Sequence, residues 1–90
     1  MIVEWDDEKA TANAEKHGVT FQEAATVLEH ALSITFRDPD HSIEEFRFLT
    51  IGLASTGRIL IVAHTDRGEA VRLISARPTT RSERLFYEEG

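Results

Sequence analysis

The chain has 90 residues, of which 41% are hydrophobic and 29% are charged, and this composition predicts one small globular domain spanning residues 1–90. It contains no cysteine, which excludes disulfides and thiolate metal sites, and its formal net charge of −6 argues against a protein that coats nucleic acid through its general charge. No apolar run approaches the ~20 residues of a membrane-spanning helix, and the N-terminus lacks the pattern of a signal peptide, so we expect a cytoplasmic protein.

The N-terminal third of the chain predicts a short strand followed by two helices. Residues 2–5 favour the strand because they are mostly β-branched or aromatic. The segment 7–16 favours a helix that ends at Gly18, since glycine accepts the left-handed conformation found at helix C-termini. A T-x-x-E capping box at Thr20 starts the second helix, whose apolar residues recur at helical spacing as far as Glu29.

After residue 30 the apolar residues alternate, which predicts four strands separated by turns rich in Asp, Pro and Gly. The four segments are ALSITFR (31–37), FRFLTIGL (46–53), RILIVAHT (58–65) and AVRLISAR (70–77). The third is nearly all apolar, as expected for a central strand covered on both faces. A last helix is predicted over residues 80–89. The order β-α-α-β-β-β-β-α predicts an α+β fold with an antiparallel sheet covered by helices.

Strand alternation predicts which side chains share a face of this sheet. His64 should share a face with Leu60 and Val62, and the hairpin at residues 66–69 should bring His64 beside Arg72. In a regular last strand, Leu73, Ser75 and Arg77 would share the face opposite Arg72. A bulge or the approach to Pro78 would change this grouping, and the sequence leaves both arrangements open.

Positive charge is concentrated in the second half of the chain, where every basic residue is arginine. The seven residues are Arg47, Arg58, Arg67, Arg72, Arg77, Arg81 and Arg84. Arginine suits bidentate contacts with phosphate or carboxylate groups, but in an acid-rich chain it commonly pairs with a neighbouring carboxylate. The four histidines are too scattered to predict a metal site, and no known nucleophile, zinc or phosphate-loop motif is present. The sequence therefore predicts neither metal nor cofactor.

Several short patterns together resemble the BrnT-type toxins of type II toxin–antitoxin systems. They are W-D-x-x-K at 5–9, K-H-G-V-x-F at 16–21, R-x-I-S-A-R at 72–77 and E-R-x-x-Y at 83–87, and the resemblance covers essentially the whole chain. It implies a RelE-like fold and a bacterial endoribonuclease that inhibits translation by cleaving RNA. It also implies a BrnA-type antitoxin, which binds DNA, blocks the toxin and represses their shared operon. Toxin and antitoxin dimers would form a heterotetramer that contacts DNA only through the antitoxin.

The resemblance also implies functional positions in this sequence. The expected catalytic residues are His64, Arg72 and Arg77. The expected RNA-binding residues are Lys16, His17 and Arg47. Arg81, from the arginine cluster, is a further RNA-binding candidate, although it also suits a structural role or a partner interface. The family usually has a basic residue directly after I-S-A-R, and here Pro78 stands in that place, which removes one candidate phosphate contact.

These residue types suit RNA cleavage without a metal, in which the 2′-hydroxyl attacks the phosphate. A histidine exchanges protons near neutral pH, so His64 is a candidate proton-transfer group, and Glu44 or Glu45 is an alternative base. Arg72 and Arg77 would stabilise the charge that develops on the phosphate. A competing hypothesis is a non-catalytic module whose arginine-rich face receives an acidic partner segment. Direct DNA binding by this chain is a third and weaker hypothesis.

Overall fold

The computed structural model describes residues 1–39 and 46–90 of the chain. The elements are β1 (Ile2–Glu4), α1 (Asp7–His17), α2 (Phe21–Glu29), β2 (Ile34–Arg37), β3 (Arg47–Leu53), β4 (Ile59–Arg67), β5 (Ala70–Pro78) and α3 (Arg81–Glu89). Within these two ranges, three helices and one five-stranded sheet confirm the mixed α+β class. In the described ranges, no helix has both the length and the apolar character needed to cross a membrane. The predicted alternative bases Glu44 and Glu45 lie outside the described residues.

The helices begin and end at side chains that the sequence marks for these positions. The Asp6 carboxylate accepts backbone hydrogen bonds from the first turn of α1, and Thr20 does the same for α2. At α3, Thr80 and Glu83 form a reciprocal capping box. The chain leaves α1 through Gly18 at φ 68°, a conformation in which glycine has no steric penalty.

The strands lie in the order β1-β5-β4-β3-β2. Strands β2 to β5 form the predicted antiparallel meander, but β1 pairs with β5 in parallel, from Ile2 opposite Ala70 to Glu4 opposite Arg72. The prediction of an antiparallel sheet is therefore wrong for this edge. The two helices carry the chain from β1 at one edge to β2 at the other, which leaves β1 beside the last strand of the meander.

A β-bulge interrupts the pairing of β4 with β5. Ala63 lies opposite Ser75, whereas the next residue, His64, lies opposite Leu73, so Ile74 is an extra residue on β5. The bulge changes which side chains share a face: Leu73 and Ala76, three residues apart, are both 1% exposed in the same core. The grouping expected for a regular strand, with Leu73 beside Ser75 and Arg77, therefore does not apply, and the bulged alternative that the sequence left open does.

The hydrophobic core lies between α1, α2 and one face of the sheet, which we call the covered face. Its buried residues come from α2, from the connection before it and from five positions of the sheet or its turns: Val19, Phe21, Ala24, Val27, Ala54, Leu60, Val62, Leu73 and Ala76. Ala10 of α1 packs against this cluster. The Trp5 ring packs edge-on against Phe21 with centroids 5.9 Å apart, which holds the segment after β1 against α2.

The helix α3 crosses the opposite face of the sheet, which we call the second face. Its first turn binds Arg77 on β5, and the residue after it, Gly90, lies against Ile34 on β2. Nine helical residues span about 13.5 Å, and three strand spacings span about 14 Å, so the helix reaches from one strand to the other. On this face Ile51 and Ile61 are 1% and 7% exposed. Strand β4 is thus buried on both faces, as its apolar sequence predicts.

Candidate active site

The part of the second face next to α3 presents arginines around small side chains. It consists of two rows of cross-strand neighbours, one formed by Phe36, Leu49, Ala63 and Ser75 and the next by Arg47, Thr65, Arg72 and Glu4. Because directly paired residues share a face, Arg77, which pairs with Ile61, lies on this face too. We call the surface formed by Arg47, Arg72, Arg77, Ala63 and Ser75 the arginine face.

Arg72 and Arg77 share this face because of the bulge. In a regular strand, residues five apart point to opposite faces, but the extra residue Ile74 between them restores a common direction. Ser75 lies between the two arginines on the same face. The sequence left this arrangement open, and the register of β5 resolves it in favour of two arginines that flank one small residue.

The three arginines differ in how firmly they are held. Arg72 Nη1 lies 3.8 Å from Glu4 Oε1, and both side chains are partly exposed, so this pair contributes at most about 1 kcal/mol. A phosphate can therefore replace the Glu4 carboxylate at little cost. Arg47 is half-buried at the start of β3, where its backbone carbonyl accepts a hydrogen bond from the Asp38 amide at 2.9 Å.

Arg77 is bound to a carboxylate in the same chain. Its Nη1 and Nη2 donate to Glu83 Oε1 and Oε2, each at 2.8 Å, and Nη1 also donates to the Pro78 carbonyl at 3.2 Å. The hydrogen bonds from Arg77 lower the pKa of Glu83 to about 2, and the same contact raises the pKa of Arg77. This fork both fastens α3 to the sheet and presents a guanidinium at the edge of the arginine face.

His64 lies away from the arginine face. It pairs with Leu73 rather than Arg72, and its side chain shares the covered face with Val62, so the predicted proximity of His64 and Arg72 is wrong. The register of the hairpin causes this error, because Arg67 pairs with Ala70 and regular pairing from there places Leu73 opposite His64. As predicted, His64 shares a face with the core residues of its own strand. Its catalytic role stays a prediction that this position does not support.

The surroundings of His64 are those of a structural residue. It is 7% exposed, its ring stacks on Phe48, and Nε2 lies 2.7 Å from Thr50 Oγ1, which in turn lies 2.6 Å from Thr35 Oγ1. Burial lowers the pKa of His64, an effect that the Asp66 carboxylate opposes. Its Nδ1 is buried without a hydrogen-bond partner among the described residues. The neutral imidazole is therefore the favoured form in the folded protein.

Lys16 and His17 lie in a groove between α1 and the free edge of β5. The groove has a volume of about 290 Å³ and is lined by Lys9, Ala12, Asn13, Lys16, His17, Ile74 and Ser75. Strand β1 pairs with β5 only as far as Arg72. Beyond Arg72, α1 rather than a strand lies next to the edge of β5. Ser75 belongs both to this groove and to the arginine face, so the two surfaces meet at Ser75.

Two further basic residues, Lys9 and Arg67, lie in this region although they were not among the predicted site residues. Lys9 lines the groove, and its spacing of seven residues from Lys16 places both on one side of a helix, which is a signal the sequence contained. Arg67, paired with Ala70, lies one row beyond Arg72 by strand alternation. The predicted RNA-binding residue Arg81 is exposed at the first position of α3, beyond Pro78, and the geometry does not group it with the other site residues.

Over residues 1–39 and 46–90, no three or more His, Asp or Glu side chains lie close enough together to hold one. The chemistry that the arginine face offers is anion binding through guanidinium groups, and the groove adds two ammonium groups and an imidazole.

Comparison with known proteins gives the family of the chain. Residues 5–83 match the model of a family described as "Ribonuclease toxin, BrnT, of type II toxin-antitoxin system". The fold is similar to the 1.1 Å crystal structure of the Brucella abortus ribonuclease toxin BrnT, with a TM-score of 0.66 and 26% sequence identity over 90% of this chain and 99% of that one. No match is found among curated proteins. The chain therefore belongs to the BrnT family of ribonuclease toxins of type II toxin–antitoxin systems.

Proposed function

We propose that this toxin is a metal-independent endoribonuclease that inhibits translation by cleaving RNA at the arginine face. The observation that carries the proposal is the common orientation of Arg72 and Arg77, which flank Ser75 on one face of β5. Two guanidinium groups around a small residue suit a phosphodiester, because they stabilise the charge that develops on the phosphorane while the small side chain leaves room for it. Arg47, on the same face, adds a third positive charge.

The proposal extends to the partners of the toxin. Membership of a type II toxin family implies an antitoxin. We assign that role to a BrnA-type DNA-binding protein that represses the shared operon, with a toxin dimer and an antitoxin dimer in one heterotetramer in the cytoplasm. The five-stranded sheet with helices on both faces supports a RelE-like label for the fold. In this assignment DNA binding belongs to the antitoxin, so the toxin alone should give no specific gel shift with operator DNA.

Expression in bacteria tests the nuclease proposal. The wild type should arrest growth and degrade cellular RNA, and Arg72→Ala should abolish both, since Arg72 makes one weak ion pair and its loss leaves the fold intact. The matched control is Arg84→Ala, which removes another exposed arginine, paired with Glu88 at 3.9 Å on α3, and should remain toxic. Intact RNA in cells that express the wild type would contradict the proposal.

A second candidate function is a non-catalytic module that receives an acidic partner segment. The bidentate contact of Arg77 with Glu83 favours this second candidate, because a guanidinium of the arginine face there donates two hydrogen bonds to a carboxylate. Mixing the purified protein with RNA separates the two candidates, since a binding module leaves RNA uncut. The two functions are compatible when an antitoxin neutralises the toxin by covering the arginine face with acidic residues.

A further inference from the structure

The groove between α1 and β5 contains a proton acceptor next to the arginine face. Of the side chains that line it, Lys9 and Lys16 carry amino groups that donate hydrogen bonds. Histidine is the residue type that accepts a proton near neutrality, and within the described residues His17 is the one histidine of this groove. His64, in contrast, is enclosed on the covered face.

The wall of the groove is rigid because Asn13 fastens it to the strand. The Asn13 amide nitrogen donates to the carbonyls of Val19 and Ala76 at 3.0 and 2.9 Å, and its oxygen accepts from the Ala76 amide at 2.9 Å. Asn13 is 6% exposed, and its amide nitrogen and oxygen both take part in these contacts. The backbone of α1 beside the groove is therefore held in place relative to Ser75 and its flanking arginines.

We propose that His17 is a catalytic residue of RNA cleavage, the general base that activates the 2′-hydroxyl, and that Lys16 is the general acid. This inference rests on the proposed nuclease function and assigns the proton transfers to α1 rather than to the sheet. The scissile phosphate lies over Ser75, where the groove and the arginine face meet. Arg72 and Arg77 bind its non-bridging oxygens from one side, and the α1 side chains contact the ribose and leaving group from the other.

The reaction balances with these groups alone. His17 takes the proton of the 2′-hydroxyl, and the 2′-oxygen forms a bond to phosphorus. The bond between phosphorus and the 5′-oxygen breaks, its electron pair stays on that oxygen, and Lys16 donates a proton to it. The products are a 2′,3′-cyclic phosphate and a 5′-hydroxyl. Solvent then carries a proton from His17 to Lys16, which restores both side chains.

Steady-state kinetics on single-stranded RNA of mixed sequence test the assignment. We expect His17→Gln to lower kcat by about 100-fold or more, as for the loss of a general base, with KM changed by less than about threefold. The matched control is His30→Gln, since His30 also ends a helix but lies after α2, where its Nδ1 accepts a hydrogen bond from the Leu32 amide. This control should keep wild-type kinetics. His17→Asn provides a second variant, and circular dichroism verifies that each is folded.

A substrate with a sulfur leaving group distinguishes the role of the general base from that of the general acid. After the cut site is mapped, the 5′-oxygen at that position is replaced by sulfur, which leaves without a proton. Turnover should then recover for Lys16→Gln but not for His17→Gln. Recovery of His17→Gln would overturn its assignment as the base, and unchanged kcat in folded His17 variants would overturn the inference while the nuclease function stands. A wild type that cuts no RNA would overturn both proposals.

Discussion

The side chain of Asn13 and the backbone of Ala76 exchange two hydrogen bonds, each 2.9 Å long. Asn13 thereby takes the place of a neighbouring strand at the edge of β5, beyond the point where β1 stops pairing. Its amide nitrogen also binds the Val19 carbonyl at 3.0 Å, which fixes the segment between α1 and α2. One polar side chain therefore joins the sheet edge, the first helix and the entry to the second, and it does so inside the core.

Replacement of Asn13 should be strongly destabilising. Asn13→Ala leaves the Ala76 amide and two backbone carbonyls buried without partners, so we expect the free energy of unfolding to fall by about 2–4 kcal/mol in urea titrations. Asn13→Asp should cost at least as much, because a carboxylate has no proton to donate to either carbonyl. The control is Thr11→Ala on the exposed side of α1, with an expected change within about 0.5 kcal/mol. A loss below about 1 kcal/mol in Asn13→Ala would contradict this role.

The contact between Arg77 and Glu83 should contribute to stability and restrain function. Glu83→Gln removes the ion pair but keeps a side chain that can cap α3, so we expect a loss of about 0.5–1 kcal/mol at pH 7. The lowered pKa of Glu83 makes this contribution complete above the unfolded value of ~4.3 and lost as the pH falls towards 2. Urea unfolding of the two proteins should therefore differ less at pH 3 than at pH 7.

The same substitution should strengthen RNA binding. Without the Glu83 carboxylate, both ends of the Arg77 fork become available to a phosphate, so the Kd for RNA should decrease in filter-binding assays. Glu88→Gln is the control, since the Glu88 carboxylate lies 3.9 Å from Arg84 on the exposed side of α3. If Glu83→Gln and Glu88→Gln bind RNA equally well, the fork does not limit access to Arg77.

Because of His64, the free energy of unfolding of the wild-type protein should be lower in mild acid than at neutral pH. Burial lowers its pKa in the folded state, so the unfolded chain binds more protons below the unfolded value of ~6.5, and the free energy of unfolding falls as the pH falls through this window. One such group gives a slope of at most about 1.4 kcal/mol per pH unit. We expect His64→Gln to be less stable at pH 7.5 and to show a shallower slope between pH 6.5 and 5. A slope equal to that of the wild type would contradict the prediction.

The patterns of the sequence predict local structure well and long-range pairing less well. Caps such as Thr20 and Gly18 are encoded within one turn, and the apolar run of β4 is sufficient to predict a strand buried on both faces. The bulge at Ile74 is different, because a β-branched residue fits a regular strand equally well. The expectation of His64 beside Arg72 fails for another reason, since the hairpin register, with Arg67 opposite Ala70, places Leu73 opposite His64 and leaves Arg72 on the other face.

For the candidate site too, the sequence predicts the residue types but not which of them come together. The concentration of arginine predicts an anion-binding surface, but the contact of Arg77 with Glu83 depends on where α3 crosses the sheet, which no local pattern specifies. The groove of Lys16 and His17 likewise depends on the place where α1 meets β5. Residue types thus indicate the chemistry, whereas the bulge and the two helix positions determine which residues come together.

Deletion of Ile74 should test the bulge directly. Because Ile74 is the extra residue, its removal restores regular pairing and leaves Leu73 and Ala76 in the core, so the variant should still unfold cooperatively, with a loss of about 1–2 kcal/mol for a half-buried side chain. Deletion of Leu49 is the control, because Leu49 is regularly paired with both neighbouring strands of β3. Its loss turns the side chains on one side of the deletion to the opposite face of the sheet and should abolish cooperative unfolding in urea.

The deletion should also affect RNA cleavage without moving the arginines to different faces. Arg72 and Arg77 would then be four residues apart in a regular strand, which again places them on one face. The groove, however, loses Ile74 from its lining, and the edge of β5 that it borders becomes one residue shorter relative to α1. We therefore expect the variant to bind RNA with a Kd close to that of the wild type but to have a lower kcat. A folded deletion variant with an unchanged kcat would indicate that the extra residue has no part in shaping the groove.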